Sequence, residues 1–401
     1  MRQQYASTWL NKTGFAARSS HGLTWHDVHR GVIYVLSWVL QKVYFSQSLE
    51  APQNIKEILV LQPGKIGDLI MTLPFIRTLK NIFPQSPLTL VVHPACHALA
   101  ALEADSVIDY CSPLYHRCQP GQPQGLGKII PGTDHCFDLL VDLKSDFASL
   151  WYSFRHARYR LDLASLGLAK YFNKFLSRLH RQSFQNPAPC HHTELMRQAL
   201  EAFTGQKAPL APYRLMVPGS QETAARLRRQ FEIADRERLV ILHPGGSRPW
   251  KLWPLEKYAA LADRLSKELG VTLMVTGGST ETEIAKKLGD LMHFPLKNIT
   301  GRLDLIELAA FLPQAALVIA NDSSVAHLAA AVGTPVIVLF GPTDPTFCAP
   351  RGPEVEVVKG EIDCSPCPQR ACRQPAGSTC MDLIEVEQVY NLAKDKLAIA
   401  A

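Results

Sequence analysis

The stretch over residues 317–340 constrains the fold more than any other part of the chain. Residues 317–320 form a short apolar run that predicts a buried strand, and residues 321–324 (Asn-Asp-Ser-Ser) are typical of a helix start. Residues 327–332 predict a helix of small side chains, and residues 336–340 predict a second buried strand. This order is a βαβ unit. In such units an anion binds at the carboxyl end of the first strand, beside the unpaired N–H groups of the helix N-terminus.

The same alternation of strands and helices occurs in two runs, which are separated by a linker near residues 204–220 that is rich in proline and glycine. The predicted strands cover residues 57–62, 88–93, 137–143, 239–242, 273–276, 317–320 and 336–340, and the predicted helices cover residues 69–81, 255–269, 281–292 and 305–311. We therefore expect an α/β chain with two Rossmann-like domains that face each other across a cleft. Their expected limits are residues 52–215 and residues 216–401.

The composition limits the classes of function. A chain of 401 residues predicts two domains, and 47% hydrophobic with 19% charged residues suits a globular core. The net charge of +6 permits an anionic partner but is too small to indicate nucleic acid. The sequence has no apolar run of the about 20 residues needed to span a bilayer and no secretory signal at its N-terminus. Ten cysteines in a chain of this length do not indicate a disulfide scaffold, and we expect a cytoplasmic, reducing setting.

Two segments outside the alternation each have two interpretations. Residues 1–51 form a predicted N-terminal extension whose apolar residues 32–45 suit a helix packed on the domain surface or a helix lying on a membrane interface. Residues 155–181 carry seven Lys and Arg against one Asp, with aromatic residues between them. This segment suits contact with an anionic or amphipathic acceptor, but also a solvated face. It contains no recognised nucleic-acid-binding module.

The loop over residues 243–253 has the composition of a phosphate-binding loop. Gly245 and Gly246 allow backbone N–H groups to approach a phosphate, and Ser247 and Lys251 add a hydroxyl and a positive charge. The chain has neither G-x-G-x-x-G nor G-x-x-x-x-G-K-[ST], which disfavours a nicotinamide enzyme and a P-loop NTPase.

Two further loops of the second run carry polar residues that are expected at the same sheet edge. Ser323 and Ser324, with the helix N-terminus beyond Asp322, predict a second anion-binding surface. Glu281 suits hydrogen bonds from ribose hydroxyls. His327 lies one turn into its helix, where it is either a donor to a phosphate or sugar or a histidine satisfied within the core.

The first run has its own polar turn over residues 63–68 (Pro-Gly-Lys-Ile-Gly-Asp). Gly64 and Gly67 allow close approach of the backbone to a ligand. Asp68 lies in the first turn of the following helix, at the expected mouth of the cleft. It is either a helix cap, a common use of aspartate, or a catalytic residue.

Three motifs together resemble a known family. The sequences ILVLQPGKIGDLIMTLPFIRTLKNIFP, HPGGSRPWKLWP and NDSSVAHLAAAVGTPVIVLFGPTDP are similar, in this order and spacing, to the first strand–turn–helix, the donor loop and the most recognisable motif of the lipopolysaccharide heptosyltransferases, glycosyltransferase family nine. The similarity covers residues 55–395. Because the three motifs occur in the family's order, the resemblance is far more specific than any single motif.

The resemblance implies a GT-B fold, with the donor nucleotide sugar in the C-terminal domain and the acceptor in the N-terminal domain, and inverting, metal-independent chemistry. Asp68 is then the general base that deprotonates the acceptor hydroxyl, Lys251 neutralises the departing diphosphate, and Glu281 binds the adenosine ribose. The residues expected along the donor phosphates and sugar are Ser247, Asp322, Ser323, Ser324 and His327. The family motif has glycine where this chain has Ser324, and this departure bears on the phosphate contacts.

The resemblance further implies transfer of heptose from ADP-heptose to a lipopolysaccharide core acceptor, without a cofactor for catalysis, in the cytoplasm and in peripheral contact with the inner face of the cytoplasmic membrane. Two alternatives stay open: the same fold acting on a protein or another glycan, and a non-catalytic protein that binds nucleotide sugars. The presence of both Asp68 and Lys251 weighs against the second. Nucleic acid is not an expected partner.

Four cysteines near the C-terminus form a separate motif, C-x2-C-x4-C-x7-C, made by Cys364, Cys367, Cys372 and Cys380. Four thiols at this spacing resemble a closed structural site for zinc or iron. Free thiols and a pair of disulfides are the alternatives. In each case the role is structural, because the motif lies outside the three donor loops in sequence.

Overall fold

The computed structural model describes residues 54–112, 118, 121–123, 130, 135–143, 152, 156–162, 190–367, 372–374 and 379–399. The predicted extension over residues 1–51 and most of the basic segment over residues 155–181 lie outside these ranges. Among the helices described, none is long and apolar enough to cross a bilayer.

The first domain is built on a parallel sheet. Its elements are β1 (Ile58–Gln62), α1 (Ile66–Ile82), β2 (Leu88–Val92), α2 (His97–Ala100), β3 (Ser106–Asp109), β4 (Phe137–Asp142), β5 (Ala157–Asp162) and α3 (His192–Thr204). The strand order is β3-β2-β1-β4-β5, and every pair is parallel. β1 is buried along its whole length, as expected for a strand covered on both faces.

The second domain repeats this architecture. Its elements are α4 (Ser220–Gln230), β6 (Leu239–His243), α5 (Leu255–Leu269), β7 (Thr272–Val275), α6 (Thr282–Leu291), β8 (Leu296–Asn298), α7 (Leu305–Phe311), β9 (Ala315–Asn321), α8 (Ser324–Val332), β10 (Val336–Phe340), α9 (Pro345–Cys348), β11 (Val355–Lys359) and α10 (Val386–Ile399). The strand order is β11-β10-β9-β6-β7-β8, again parallel throughout. The expected pair of Rossmann-like domains is confirmed.

The parallel arrangement brings the predicted loops together. β6 pairs directly with both β7 and β9, so the loops that follow these three strands leave the same edge of the second sheet. The first polar turn leaves the corresponding edge of the first sheet after β1. α1, which follows that turn, packs against α8 of the second domain. The two edges at which ligand binding is predicted therefore meet at the contact between α1 and α8.

The linker between α3 and α4 is bonded to the first domain up to residue 214 and to the second domain from residue 215. Arg77 of α1 donates hydrogen bonds to the carbonyl oxygens of Pro212 (2.8 Å) and Arg214 (2.6 Å). The next residue, Leu215, donates its N–H to the carbonyl oxygen of Ala331 in α8 (2.6 Å). Residues before this point are thus attached to the first domain and residues after it to the second. The change lies one residue before the expected boundary, and residues 52–215 and 216–401 stay the proposed domain limits.

Candidate functional site

The loop over residues 243–253, which we call the donor loop, is fixed to the end of β9 by the side chain of Asn321. The amide nitrogen donates to the carbonyl oxygens of Pro244 (2.8 Å) and Gly245 (3.2 Å), and the amide oxygen accepts the Trp253 N–H (3.1 Å). The Tyr258 hydroxyl lies 3.3 Å from this oxygen and 3.3 Å from the carbonyl oxygen of His243, and it shares its single proton between them. Both ends of the donor loop are therefore held by one buried side chain.

Lys251 points from the donor loop to Asp322, the first residue after β9. Its ammonium lies 2.6 Å from Asp322 Oδ2, and the two side chains are only 15% and 11% exposed. A charge pair removed from water to this degree is screened weakly, so the ammonium acts strongly on charges nearby. The sequence predicted both residues at the donor site, and the structure brings them into direct contact.

The start of α8 lies beside this pair. Ser323 is the residue before the helix, and Ser324 is its first residue. Among the described residues, the buried Ser323 hydroxyl and Nδ1 of His327 are polar atoms without a hydrogen-bond partner. Unpaired buried polar groups are rare in folded proteins, and here they lie at a helix N-terminus, which attracts anions. The backbone at Ser324 is not left-handed, so serine replaces the family's glycine without strain.

Glu281 lies over the beginning of the donor loop. Its carboxylate accepts the N–H of Gly278 (2.8 Å) and lies 4.0 Å from Nε2 of His243. A Cβ added at Gly245 would overlap Glu281 Oε1 at 1.8 Å. Gly245 is thus required by the approach of Glu281, whereas a Cβ at Gly246 would meet Leu252 at 2.9 Å. Ser247 lies in the same loop and is exposed.

The polar turn of the first domain is organised by Gln62, the last residue of β1. Its amide oxygen accepts the Gly64 N–H (3.2 Å), and its amide nitrogen donates to Thr72 Oγ1 (2.7 Å). Asp68 Oδ2 accepts the N–H of Lys65 (2.9 Å), so Asp68 does cap the helix. This bond explains why α1 begins at Ile66 rather than at the predicted residue 69.

The predicted base and the donor residues converge on His327. A Cβ at Gly67 would lie 3.2 Å from Cδ2 of His327, so the first-domain turn packs directly against the second-domain helix. Burial lowers the pKa of His327, an effect that the carboxylates of Asp322 and Asp68 oppose and the ammonium of Lys251 reinforces. The imidazole is therefore neutral near neutral pH. Asp68 can therefore cap α1 and also lie at the cleft, so its interpretation as a helix cap does not exclude its interpretation as a catalytic residue.

The structure adds a residue that the sequence motifs did not single out. Burial raises the pKa of the Cys348 thiol to about 12, and the carboxylates of Asp322, Asp68 and Asp344 contribute to this rise. Cys348 is thus a protonated, neutral side chain between the acidic groups of the two domains. Its position at the end of the short helix α9 gave no periodic signal in the sequence.

A second contact between the domains is made by His191, which lies just before α3. Its Nδ1 accepts the Thr193 N–H (3.2 Å), so Nε2 carries the proton and donates to the carbonyl oxygen of Ala349 (2.9 Å). α3 belongs to the first domain, since the Thr193 hydroxyl donates to the Met71 carbonyl in α1 (3.0 Å). Burial lowers the pKa of His191 to about 3, and the positive charge of Arg351 adds to this effect.

This shift predicts a loss of stability in acid. Below about pH 6.5 the unfolded chain takes up a proton at His191 that the folded chain does not, so unfolding becomes more favourable until the pH reaches the folded pKa of about 3. One such group lowers the free energy of unfolding by at most about 1.4 kcal/mol for each pH unit. We expect His191→Asn to flatten the decline of the unfolding free energy between pH ~6.5 and pH ~4, as measured by urea denaturation. An unchanged slope would show that His191 is not the titrating group.

The C-terminal cysteines do not support the expected structural metal. In the parts of the chain described, no three or more His, Cys, Asp or Glu side chains form a group that could hold a metal ion. Cys380 is buried in the second-domain core, whereas Cys364 and Cys372 are exposed. Burial raises the pKa of the Cys380 thiol, and the neighbouring Cys367 and Cys372 add to this rise. Cys380 therefore packs as a core residue.

The sequence did not single out Cys111 and Cys118, and the structure forms a disulfide between them. The two cysteines follow β3 and are separated by 7 positions in the sequence. This is a local cross-link, and it does not resemble a disulfide scaffold that replaces a hydrophobic core.

Comparison with known proteins identifies the family. The sequence profile described as glycosyltransferase family 9 (heptosyltransferase) matches residues 134–376, more than half of the chain and all three loops of the second domain. The chain belongs to glycosyltransferase family 9. The matched residues of this glycosyltransferase include Lys251, Asp322 and His327, whereas Asp68 precedes them.

Relatives and solved structures extend the similarity to the first domain. This glycosyltransferase is 25% identical over 320 residues to lipooligosaccharide heptosyltransferase 2 of Haemophilus influenzae, covering 76% of this chain and 90% of the relative. It is 26% identical over 326 residues to lipopolysaccharide heptosyltransferase 1 of Pseudomonas aeruginosa, covering 79% and 87%. Its fold matches the family 9 glycosyltransferase of Veillonella parvula with a TM-score of 0.67 at 19% identity, covering 88% and 100%. It also matches the E. coli heptosyltransferase WaaC with ADP, with a TM-score of 0.58 at 18% identity, covering 85% and 99%.

Proposed function

We propose that this glycosyltransferase transfers heptose from ADP-heptose to a lipopolysaccharide core acceptor with inversion at the anomeric carbon. The observation that carries the proposal is the convergence at His327 of one acid from the first domain and a lysine–aspartate pair from the second. The relatives named above are lipopolysaccharide and lipooligosaccharide heptosyltransferases, and the chain matches 87–90% of their length.

The donor diphosphate is proposed to lie between Lys251 and the N-terminus of α8. There the ammonium, the first N–H groups of the helix and the Ser323 hydroxyl all favour negative charge. Glu281, held by the Gly278 N–H beside the donor loop, is proposed to accept hydrogen bonds from the ribose hydroxyls. Gly246, Ser247 and Ser324 are proposed to contact the phosphates through backbone or hydroxyl groups.

The reaction is proposed to run by a single displacement. The acceptor oxygen bonds to the anomeric carbon while the bond from that carbon to the diphosphate oxygen breaks. Asp68 takes the proton of the acceptor hydroxyl, and ADP leaves with its negative charge stabilised by Lys251 and the helix N-terminus. The neutral His327 and the charged Asp322 are proposed to orient the sugar and the lysine. Gly67 allows the turn with Asp68 to approach His327, and Gly64 leaves room for the side chains of Gln62 and Asp68 within the turn.

We further propose that the enzyme works on the inner face of the cytoplasmic membrane. The support is chemical: a lipopolysaccharide core acceptor carries lipid, and the nucleotide-sugar donor is water-soluble, so the two meet at a membrane surface.

The proposed function predicts the outcome of a donor screen. The purified enzyme is incubated with a heptose-free lipopolysaccharide core and with ADP-heptose, or with glucose donors carrying ADP, GDP or UDP, and the release of nucleoside diphosphate is measured. We expect acceptor-dependent release from ADP-heptose at a rate that exceeds the others by at least about tenfold, because a site that pairs with a given base and sugar disfavours the alternatives. Release from another donor alone would contradict the heptosyl assignment and leave the fold unaffected.

A further inference from the structure

We infer that Asn321 is a positioning residue that sets the shape of the donor loop and thereby the place of Lys251. Asn321 is completely buried at the end of β9, so it acts through the loop and does not touch the donor. The inference rests on the proposed function, since it assumes that the donor diphosphate binds at this loop.

The hydrogen bonds of Asn321 use the full capacity of an amide. Its nitrogen has two N–H donors, which go to the carbonyl oxygens of Pro244 and Gly245. Its oxygen has two lone pairs, which accept the Trp253 N–H and share the single proton of the Tyr258 hydroxyl with the carbonyl oxygen of His243. A carboxylate offers no donor, and a hydroxyl offers one. Among side chains of this size, only asparagine satisfies the four partners at once.

Three of the four partners lie at the two ends of the loop, and Tyr258 lies in the helix α5 that follows it. Pro244 and Gly245 open it, and Trp253 closes it two residues after Lys251. The neighbouring Asp322 binds the Lys251 ammonium itself. At the end of β9, Asn321 therefore holds the backbone of the donor loop, and Asp322 holds the Lys251 ammonium. If Asn321 is changed, we expect the loop to move and the ammonium to lose its position, because rate and affinity depend on sub-ångström placement.

Gln62 provides a matched control because it lies at the corresponding strand end of the first domain and also holds a loop by its side-chain amide. It is a buried amide at the end of β1, and it holds the turn with Asp68 through the Gly64 N–H and Thr72. A change at Gln62 disturbs the acid and its turn, whereas a change at Asn321 disturbs the lysine and its loop. The two variants are expected to separate transfer from nucleotide binding.

The test compares Asn321→Asp and Gln62→Glu with the wild type by calorimetric binding of ADP, by transfer from ADP-heptose and by melting temperature. Asn321→Asp keeps the side-chain volume, removes both donors and places a carboxylate against two carbonyl oxygens. We expect it to weaken ADP binding by at least about tenfold, because two buried acceptors lose their partners. For Gln62→Glu we expect ADP affinity within about twofold of the wild type and slower transfer.

A double-mutant cycle with Lys251→Ala separates positioning from general stability. If Asn321 acts through Lys251, the combined loss of ADP affinity in the double variant is smaller than the product of the two single losses. If Asn321 supports only the core, the two substitutions act independently. The loss of ADP affinity in the double variant then equals the product of the two single losses. Should Asn321→Asp fail to fold, Asn321→Ser is measured in the same cycle with the same expectation.

The outcomes distinguish this inference from the proposed function. If the wild type does not bind ADP, the proposed function fails, and the inference fails with it. If the wild type binds ADP and a folded Asn321 variant binds it equally well, or the cycle with Lys251 gives independent effects, the inference alone is overturned.

Discussion

The Asp68→Asn enzyme is expected to bind ADP with wild-type affinity and to transfer heptose about a thousandfold more slowly, the range typical of a lost general base. Asparagine keeps the shape of the side chain, and its amide oxygen can still accept the Lys65 N–H that caps α1. The variant therefore retains the turn and loses only the ability to take a proton. The measurement is the turnover number at saturating donor and acceptor, with ADP affinity measured by calorimetry.

Asp304 offers a control for the capping role. It lies before α7, and its carboxylate accepts the N–H groups of Ile306 and Glu307, both at 2.8 Å. Asp304→Asn is expected to cost about 1 kcal/mol of stability at most and to leave transfer unchanged. If Asp68→Asn retains wild-type turnover, Asp68 is a cap and not the base. If both variants lose activity in parallel, the loss reflects stability.

Lys251→Met is expected to produce the second largest effect. The departing diphosphate loses the ammonium that the donor loop places beside it, and such a loss costs about 100- to 1,000-fold in turnover. Asp322 is then left as a buried carboxylate without its cation, so ADP binding is expected to weaken as well. Turnover and ADP affinity of this variant are measured under the same conditions as for Asp68→Asn.

Lys396 is the matched control for Lys251. Its side chain is 13% exposed and pairs with Glu354 (2.9 Å) and Glu356 (3.2 Å), so it resembles Lys251 in burial and in its carboxylate partners. It lies on α10, outside the three loops. Lys396→Met is expected to lower the melting temperature without changing turnover per folded enzyme. Equal losses of turnover in both variants would remove Lys251 from the proposed role.

The central strands were predictable because each is a short, continuous apolar run. β1, β6, β9 and β10 are buried on both faces, and the sequence predicts all four within two residues of their ends. The edge strands β3, β5, β8 and β11 were missed because they are partly exposed and lack such a run. α4 was missed because its surface is dominated by polar side chains.

The sequence predicts those candidate site residues whose type and position beside a strand or helix end indicate their chemistry. It does not predict contacts between residues that are far apart in the sequence. Lys251 and Asp322 stand out because they lie in loops that follow strands, and Asp68 stands out because it lies in the first turn of a helix that follows a strand. The contact of His191 with Ala349 joins residues 158 positions apart, and no local pattern indicates it. Asn321 resembles an ordinary helix start in sequence, and its function in the donor loop emerges only once β6 and β9 are paired.

The structure gives two glycines of the predicted ligand-binding turns a different reason from the one that the sequence suggested. Gly67 and Gly245 were expected to admit a ligand, and each instead admits a side chain: His327 at Gly67 and Glu281 at Gly245. Both side chains are themselves proposed to contact the donor. The glycines therefore support the site indirectly, through the residues they allow to approach.

If Asp68 and Lys251 together transfer heptose from ADP-heptose, the acceptor gains the mass of one heptose. The enzyme is incubated with ADP-heptose and a heptose-free lipopolysaccharide core, and the product is analysed by mass spectrometry and by NMR of the new glycosidic bond. We predict a mass increase of one heptose, with inverted anomeric configuration, for the wild type and none within the same time for Asp68→Asn. Retained configuration, or equal product from both enzymes, would contradict the account.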